Sequence, residues 1–231
     1  MLKFIKHLLA SKKKPGKSQS HKCAVPEYHS KFPIVKYLFY KRLSTALQLT
    51  RFRDGLRILD IGCGDGKLLK MIKKRTIAPL GINIERNISL ELYGCDLEVP
   101  RCRKKDGDIT FFVSDMNKVP VDNATFDVVY AMDMLEHIRD LTVVVSEIKR
   151  IMKNNAQFIV SMPKEGIIYR TGRFILKGTF SMKTGPGSSP HFWTYKTLNK
   201  FLSNHFEKVN ERILFAPILD FSRIAEFRKI V

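Results

Sequence analysis

One run, Ile58-Leu59-Asp60-Ile61-Gly62-Cys63-Gly64-Asp65-Gly66, constrains this chain more than any other stretch of it. Apolar residues and one acid lead into glycines at alternate positions, and Lys67-Leu68-Leu69-Lys70-Met71-Ile72 then opens an amphipathic helical pattern. The order predicts a buried strand, a tight turn and a helix start. Glycine is needed where the backbone takes positive φ or where a ligand must come within van der Waals contact, because a Cβ blocks both. Such a turn makes a pocket floor out of backbone. Its spacing, G-x-G-x-G, is neither the G-x-G-x-x-G of a dinucleotide site nor the G-x-x-x-x-G-K-[ST] of a P-loop. Asp60 stands two residues before the first glycine, and a carboxylate there repels a phosphate but suits an ammonium or a sulfonium.

The rest of the composition sets bounds. A chain of 231 residues that is 44% hydrophobic can bury one sizeable core, so one domain over 27–231 is expected after a basic tail, 1–26. No apolar run approaches the ~20 residues of a membrane span. Lys3 and Lys6 interrupt the apolar start and Lys12, Lys13 and Lys14 follow it, which is not the order of a signal peptide. The four cysteines, Cys23, Cys63, Cys95 and Cys102, show no C-x-x-C pairing. These features predict a cytoplasmic protein with neither a zinc site nor a disulfide framework. Residues 11–21 read as mobile. Leu2, Ile5, Leu8 and Leu9 share a helical face beside the lysines, a pattern for peripheral contact with an anionic membrane.

The formal net charge of +19 is uneven. It is +11 over 1–60 (14 Lys and Arg against 3 acids), zero over 61–150 (14 against 14) and +8 over 151–231 (13 against 5). A basic face fits nucleic acid, anionic lipid or a phosphorylated substrate, and equally a plain solvated surface.

Downstream, the strand 109–113 runs into Ser114-Asp115-Met116, giving Phe-x-x-x-Asp-x-x-x-x-Pro, followed by Phe126-Asp127-Val128-Val129-Tyr130-Ala131-Met132 and then Asp133-Met134-Leu135-Glu136-His137-Ile138. Together with 58–66, these motifs resemble the class I, Rossmann-like S-adenosylmethionine (SAM)-dependent methyltransferases, in particular the type-11-like and ubiquinone-biosynthesis-type small-molecule enzymes. The resemblance covers about 55–215. It implies an α/β, doubly wound, mostly parallel sheet with helices on both faces and an N-terminal helical cap. It also implies SAM as cofactor, with S-adenosylhomocysteine as product. The implied cofactor residues are Asp60, Gly62, Cys63, Gly64, Gly66, Asp96, Leu97, Asp115, Met116 and Met132. Asp115 would accept the adenine amino hydrogen, with the Met116 N–H on a ring nitrogen. In related enzymes a helix before the first strand gives a Tyr or Arg to the SAM carboxylate, so Tyr28 and Arg42 are candidates; a packing aromatic and a surface Arg are the plainer reading.

For the second strand, 80–85 and 92–97 compete. A carboxylate at the strand end offers acceptors for two ribose hydroxyls, which selects Asp96, places 83–87 in an insertion and leaves Glu85 as the replacement. A helix is expected at 33–50, within a cap 27–54, from the spacing of Phe32, Val35, Leu38, Phe39, Leu43 and Leu47. Further expectations are strands at 57–61, 126–132, 157–162 and 206–214, and helices from 67 to about 75, 141–152 and 194–205. Residues 164–193 read as an aromatic and basic acceptor lid. The tail 216–231 reads as an amphipathic helix, which leaves six or seven strands.

Asp133, Glu136 and His137 stand at i, i+3 and i+4, one face of a helix. Ubiquinone-pathway enzymes that bind a divalent ion carry acid-x-x-Glu-His at these places. The structural alternative, a helix-start glutamate and a satisfied buried histidine, leads, and no metal is expected. His137 and His191 are the candidate general bases. The chain lacks the Asn/Asp-Pro-Pro-Tyr/Phe run of base N-methyltransferases and the Pro-Cys nucleophile of pyrimidine C5 enzymes. The leading expectation is methyl transfer to O or N of a small-molecule or lipid-linked acceptor. An RNA methyltransferase using the basic flanks comes second, and a non-catalytic scaffold third.

Overall fold

The computed structural model describes residues 33–74, 76–77, 82–83, 87–97, 108–163, 191–214 and 222–229. The tail 1–26, Tyr28, Glu85 and residues 164–190 of the expected lid lie outside them. The described elements are α1 (Pro33–Leu49), β1 (Leu56–Ile61), α2 (Lys67–Lys74), β2 (Thr76–Ile77), β3 (Ile82–Asn83), β4 (Leu90–Asp96), β5 (Ile109–Val113), β6 (Phe126–Ala131), a 3-10 turn (Leu135–His137), α3 (Leu141–Ile151), β7 (Met152–Pro163), α4 (Tyr195–Ser203), β8 (Phe206–Ile213) and β9 (Ser222–Lys229).

Local chemistry explains the helices. In α2 Leu68, Leu69, Met71 and Ile72 are buried while Lys73 and Lys74 occupy the last turn, where cations favour the helix dipole. Asp140 caps α3 by accepting from Thr142 N at 2.9 Å. Thr194 and Thr197 cap α4 reciprocally.

The strands β5, β4, β1, β6 and β7 pair in parallel, with α2 following β1 and α3 preceding β7. The strand order is β5-β4-β1-β6-β7-β9-β8, with β9 antiparallel to both of its neighbours. The sheet is doubly wound. Ile58, Val128, Tyr130, Ile159 and Ile224 face α1 and α2, whereas Leu59, Val129, Phe158 and Phe227 face α3 and α4. Phe158, Phe206 and Phe227 stack at centroid distances of 5.0–6.4 Å in the second layer, and truncating such a ring costs about 3–5 kcal/mol.

Two expectations are corrected. The tail is not an amphipathic helix but contains β9, which completes a seven-stranded sheet. Ile224, Ala225, Glu226 and Phe227 are all buried, because β9 is covered on both faces between β7 and β8. The carboxylate buried among them is held by Arg51 Nη2 at 2.7 Å and Gln157 Nε2 at 2.8 Å. Of the two rivals for the second strand of the sheet, 90–96 joins it, while Thr76–Ile77 and Ile82–Asn83 pair separately as a small antiparallel hairpin.

Candidate active site

Parallel register brings the ends of β5, β4, β1 and β6 to one edge. Ile61 sits opposite both Cys95 and Ala131, and Asp96 opposite Val113. The glycine turn leaves from this edge and is tied down there. The amides of Gly62 and Cys63 both donate to the carbonyl of Cys95, at 2.9 and 3.0 Å, and Gly66 N donates to Cys63 O at 2.8 Å. Gly62, Gly64 and Gly66 all have positive φ. At Gly62 (φ 68°) a Cβ would sit 3.1 Å from the Met134 side chain. At Gly66 (φ 69°) it would sit 2.7 Å from the Phe111 ring, so this glycine lets that ring pack beneath the turn.

Asp96 is the clasp. Its Oδ2 accepts from Gly64 N at 2.8 Å and its Oδ1 from Leu97 N at 2.8 Å. Each carboxylate oxygen has a second lone pair for a further donor. Asp115 is exposed and accepts from Asn117 N at 2.9 Å, an Asx-turn that holds its carboxylate at the edge. Met116 is half-buried against the core and Leu97 is exposed.

A cleft opens above the turn, lined by Asp60, Gly62, Cys63, Gly64, Asp65, Met132 and Asp133, with Leu43 of α1 and Lys67 and Leu68 of α2. Of the expected cofactor residues, Asp60, Gly62, Cys63, Gly64 and Met132 line it together, whereas Gly66, Asp96, Leu97, Asp115 and Met116 stand outside its lining. The charge here is negative. Burial, then the nearby Asp60 and Asp96 carboxylates, push the Cys95 thiol above its ordinary value. Burial raises the Tyr130 phenol too, with Asp60 adding to the rise against the Thr50 hydrogen bond that opposes it. A backbone cradle that a Cβ would disturb, in a field set by carboxylates, fits the sulfonium and ammonium groups of SAM.

Asp133 does not join Glu136 and His137 on a helix face, which corrects that grouping. It sits at φ 51° between β6 and the 3-10 turn. Its N–H donates to Ser161 Oγ and its Oδ1 accepts from the same hydroxyl, both at 2.7 Å, while its Oδ2 pairs with Arg42 of α1. Arg42 in turn stacks on Phe39, with its Cζ 4.4 Å from the ring centroid. Ser161 was missed by sequence reasoning, although a hydroxyl inside the apolar run Phe158-Ile159-Val160-Ser161-Met162 was its signal.

The two candidate bases come from distant parts of the chain and meet. The rings of His137 and His191 lie edge to face at 4.6 Å between centroids. Two bonds lash together the segments that carry them, Phe192 N to Glu136 O at 2.8 Å and Trp193 Nε1 to Ile138 O at 2.7 Å.

This arrangement has relatives. Residues 34–218 match the profile of a family described as a methyltransferase domain. The chain belongs to that methyltransferase domain family, within the class I SAM-dependent group. Among curated proteins it is similar to a sterol 4-C-methyltransferase of Caenorhabditis elegans, 32% identical over 110 residues, 46% of this chain and 31% of that one. It is also similar to the 27-O-demethylrifamycin SV methyltransferase of Amycolatopsis mediterranei, 31% identical over 105 residues, 44% of this chain and 36% of that one. The matched part thus spans about a third of the length of these relatives. Among solved structures, the PH0226 protein of Pyrococcus horikoshii shares the fold with a TM-score of 0.65 at 16% identity, covering 89% of this chain and 96% of that one. The N-methyltransferase NodS of Bradyrhizobium japonicum, solved with S-adenosylhomocysteine, does so at 0.58 and 15%, covering 84% and 88%.

Proposed function

We propose that this protein transfers a methyl group from SAM to oxygen or nitrogen of a small-molecule or lipid-linked acceptor. The observation that carries the reading is the glycine turn clasped by Asp96 beside the buried Asp60, a cation-accepting cradle at the edge where the strands end. Asp60 and the turn would hold the amino-acid end of the cofactor, Asp96 its ribose, and Asp115 with Met116 its base. When bound, SAM supplies a methyl group that is already electrophilic, so the protein has chiefly to position the acceptor and manage its proton. His137, one turn after Met134, and His191, packed against it, are the residues for that second task.

The curated relatives support a small acceptor, because their names are those of sterol and natural-product methyltransferases. Among the described residues no helix is long and apolar enough to cross a membrane, so a lipid-linked acceptor would be met from the surface. The test is calorimetry with SAM and S-adenosylhomocysteine on the wild type and on Asp60→Ala and Asp115→Ala. Each variant is expected to lose about 1–3 kcal/mol of binding, as loss of a hydrogen bond to a charged group does. A folded wild type that binds neither molecule overturns the reading. Methyl transfer to RNA with steep salt dependence, and none to small acceptors, would put the RNA alternative in front.

A further inference from the structure

We propose that Glu136, His137 and His191 form a binding site for one divalent transition-metal ion. The ligand atoms of the three side chains all lie within 4.8 Å of one another. A single ion at about 2.0–2.2 Å from each donor needs them within about 4.4 Å of one another, so a small side-chain adjustment brings all three onto one ion. One carboxylate and two imidazoles form a borderline donor set that suits Zn²⁺, Fe²⁺, Co²⁺ or Ni²⁺ rather than Ca²⁺ or Mg²⁺, which call for oxygen alone.

The frame is rigid where it matters. Glu136 and His137 sit on the 3-10 turn, whose closing bond runs from His137 N to Met134 O at 3.1 Å. His191 comes from far along the chain, yet the segment that carries it is fixed by two ties immediately after it. The Phe192 amide bonds to Glu136 itself, and the Trp193 indole, packed on Phe201 at 5.1 Å, bonds to Ile138. Donors set by backbone ties rather than by long mobile side chains need little ordering to meet an ion. The carboxylate is also well placed energetically. Glu136 is only 2% exposed, and a carboxylate out of water gains from a cation at contact distance.

Three protein donors leave coordination positions open, which is the form of a catalytic rather than a structural centre. This consequence rests on the methyl-transfer reading, although the metal site itself does not. An acceptor hydroxyl held on the ion would ionise closer to neutral pH, as metal-bound water does. With both imidazoles as ligands, the ion takes over the task otherwise given to a histidine base. The acceptor class narrows to oxygen nucleophiles, favouring those with a second oxygen on the neighbouring carbon, which can chelate.

The experiment uses the full, untagged chain, stripped with a chelator and titrated with Co²⁺. Visible d–d absorption and calorimetry report the metal, and S-adenosylhomocysteine binding is measured on the same samples. Wild type is expected to take up one Co²⁺ per chain with new absorption bands. H191A should lose the bands. E136Q, nearly the same shape, should bind at least about 100-fold more weakly, the upper end of what losing an outer-shell partner costs. Both variants should keep the wild-type affinity for S-adenosylhomocysteine, which also certifies that they are folded. No stoichiometric Co²⁺ in a wild type that binds S-adenosylhomocysteine overturns the metal site and leaves the methyl-transfer reading standing. Equal Co²⁺ binding by H191A and E136Q overturns the assignment as well. Co²⁺ uptake lost in both variants, in a protein that binds no S-adenosylhomocysteine, upholds the site and overturns the other reading.

Discussion

The two sides of the sheet use acidic residues for opposite ends. On the β5-β4-β1-β6 side, Asp96 and Asp115 accept from backbone amides of the loops that leave the strands. On the β7-β9-β8 side, acids meet cations. Glu226 holds Arg51 and Gln157, and Glu211 holds Lys208 at 2.9 Å, Arg223 at 3.3 Å and the Tyr195 hydroxyl at 2.8 Å. In the first arrangement the carboxylate stays at the edge where the strands end, with lone pairs left for a further donor. In the second the charge is consumed inside the protein, and what it provides is order. For these four carboxylates the partner goes with the role: Asp96 and Asp115, on amides, stand at the edge of the site, whereas Glu211 and Glu226, on cations, hold the scaffold. Asp133 straddles the divide, bound both to the Ser161 hydroxyl and to Arg42, and so couples the cap helix to the cleft.

This contrast can be broken or sharpened by substitution. The largest effect is expected from Gly66→Ala, which combines strain at positive φ with a Cβ inside the Phe111 ring. It should cost about 2–4 kcal/mol in urea unfolding and also impair S-adenosylhomocysteine binding, since the turn is shared by core and cleft. Next comes Glu226→Ala. It removes the buried acceptor shared by the Gln157 amide and Arg51, and is expected to lower stability by about 2–3 kcal/mol while the calorimetric affinity for S-adenosylhomocysteine stays the same. Asp96→Ala should do the reverse, weakening that affinity by about 1–2 kcal/mol with a smaller change in the urea midpoint. Should Glu226→Ala abolish binding and Asp96→Ala leave it intact, the division of labour is wrong.

The smallest effect concerns Glu147, buried in a surface cluster on α3. The Arg150 guanidinium donates to both of its oxygens at 2.7 Å, and Val119 N donates at 2.7 Å as well. The Arg150 bond, against the cost of burial, holds the Glu147 carboxyl below the usual carboxylate range. Its contribution is therefore fully present above the unfolded value of about 4.3 and is lost as pH falls through the lower folded value. Glu147→Gln should cost about 1 kcal/mol at pH 7. Thermal unfolding from pH 7 to pH 2 should show the gap to wild type closing in acid.

Much of this was legible in the residues. The glycine turn and its acid predicted β1, the turn and α2, because glycine spacing reports backbone conformation directly. The choice of 92–97 over 80–85 followed from the need for an acid at a strand end, and β4 does end at Asp96. What misled was β9. Ile224 and Phe227 stand three apart with Arg223 and Arg228 beside them, a helical spacing, and a strand covered on both faces shows no alternation to contradict it. The pairing of His137 with His191 was invisible for another reason. Each was named, but only tertiary folding decides whether residues so far apart in sequence share a site. Asp133 was assigned to a helix that its positive φ excludes, and nothing in the local sequence announces that φ.

The place of β9 in the sheet also bears on how the chain is made. Synthesis is vectorial, so β8 emerges from the ribosome before β9, yet β9 is the strand that lies between β8 and β7. Until 222–229 have been translated, β8 has no neighbour to pair with and the β7 edge stays open. The nascent chain must keep both surfaces from aggregating, and closure of the sheet waits on the insertion of one late strand.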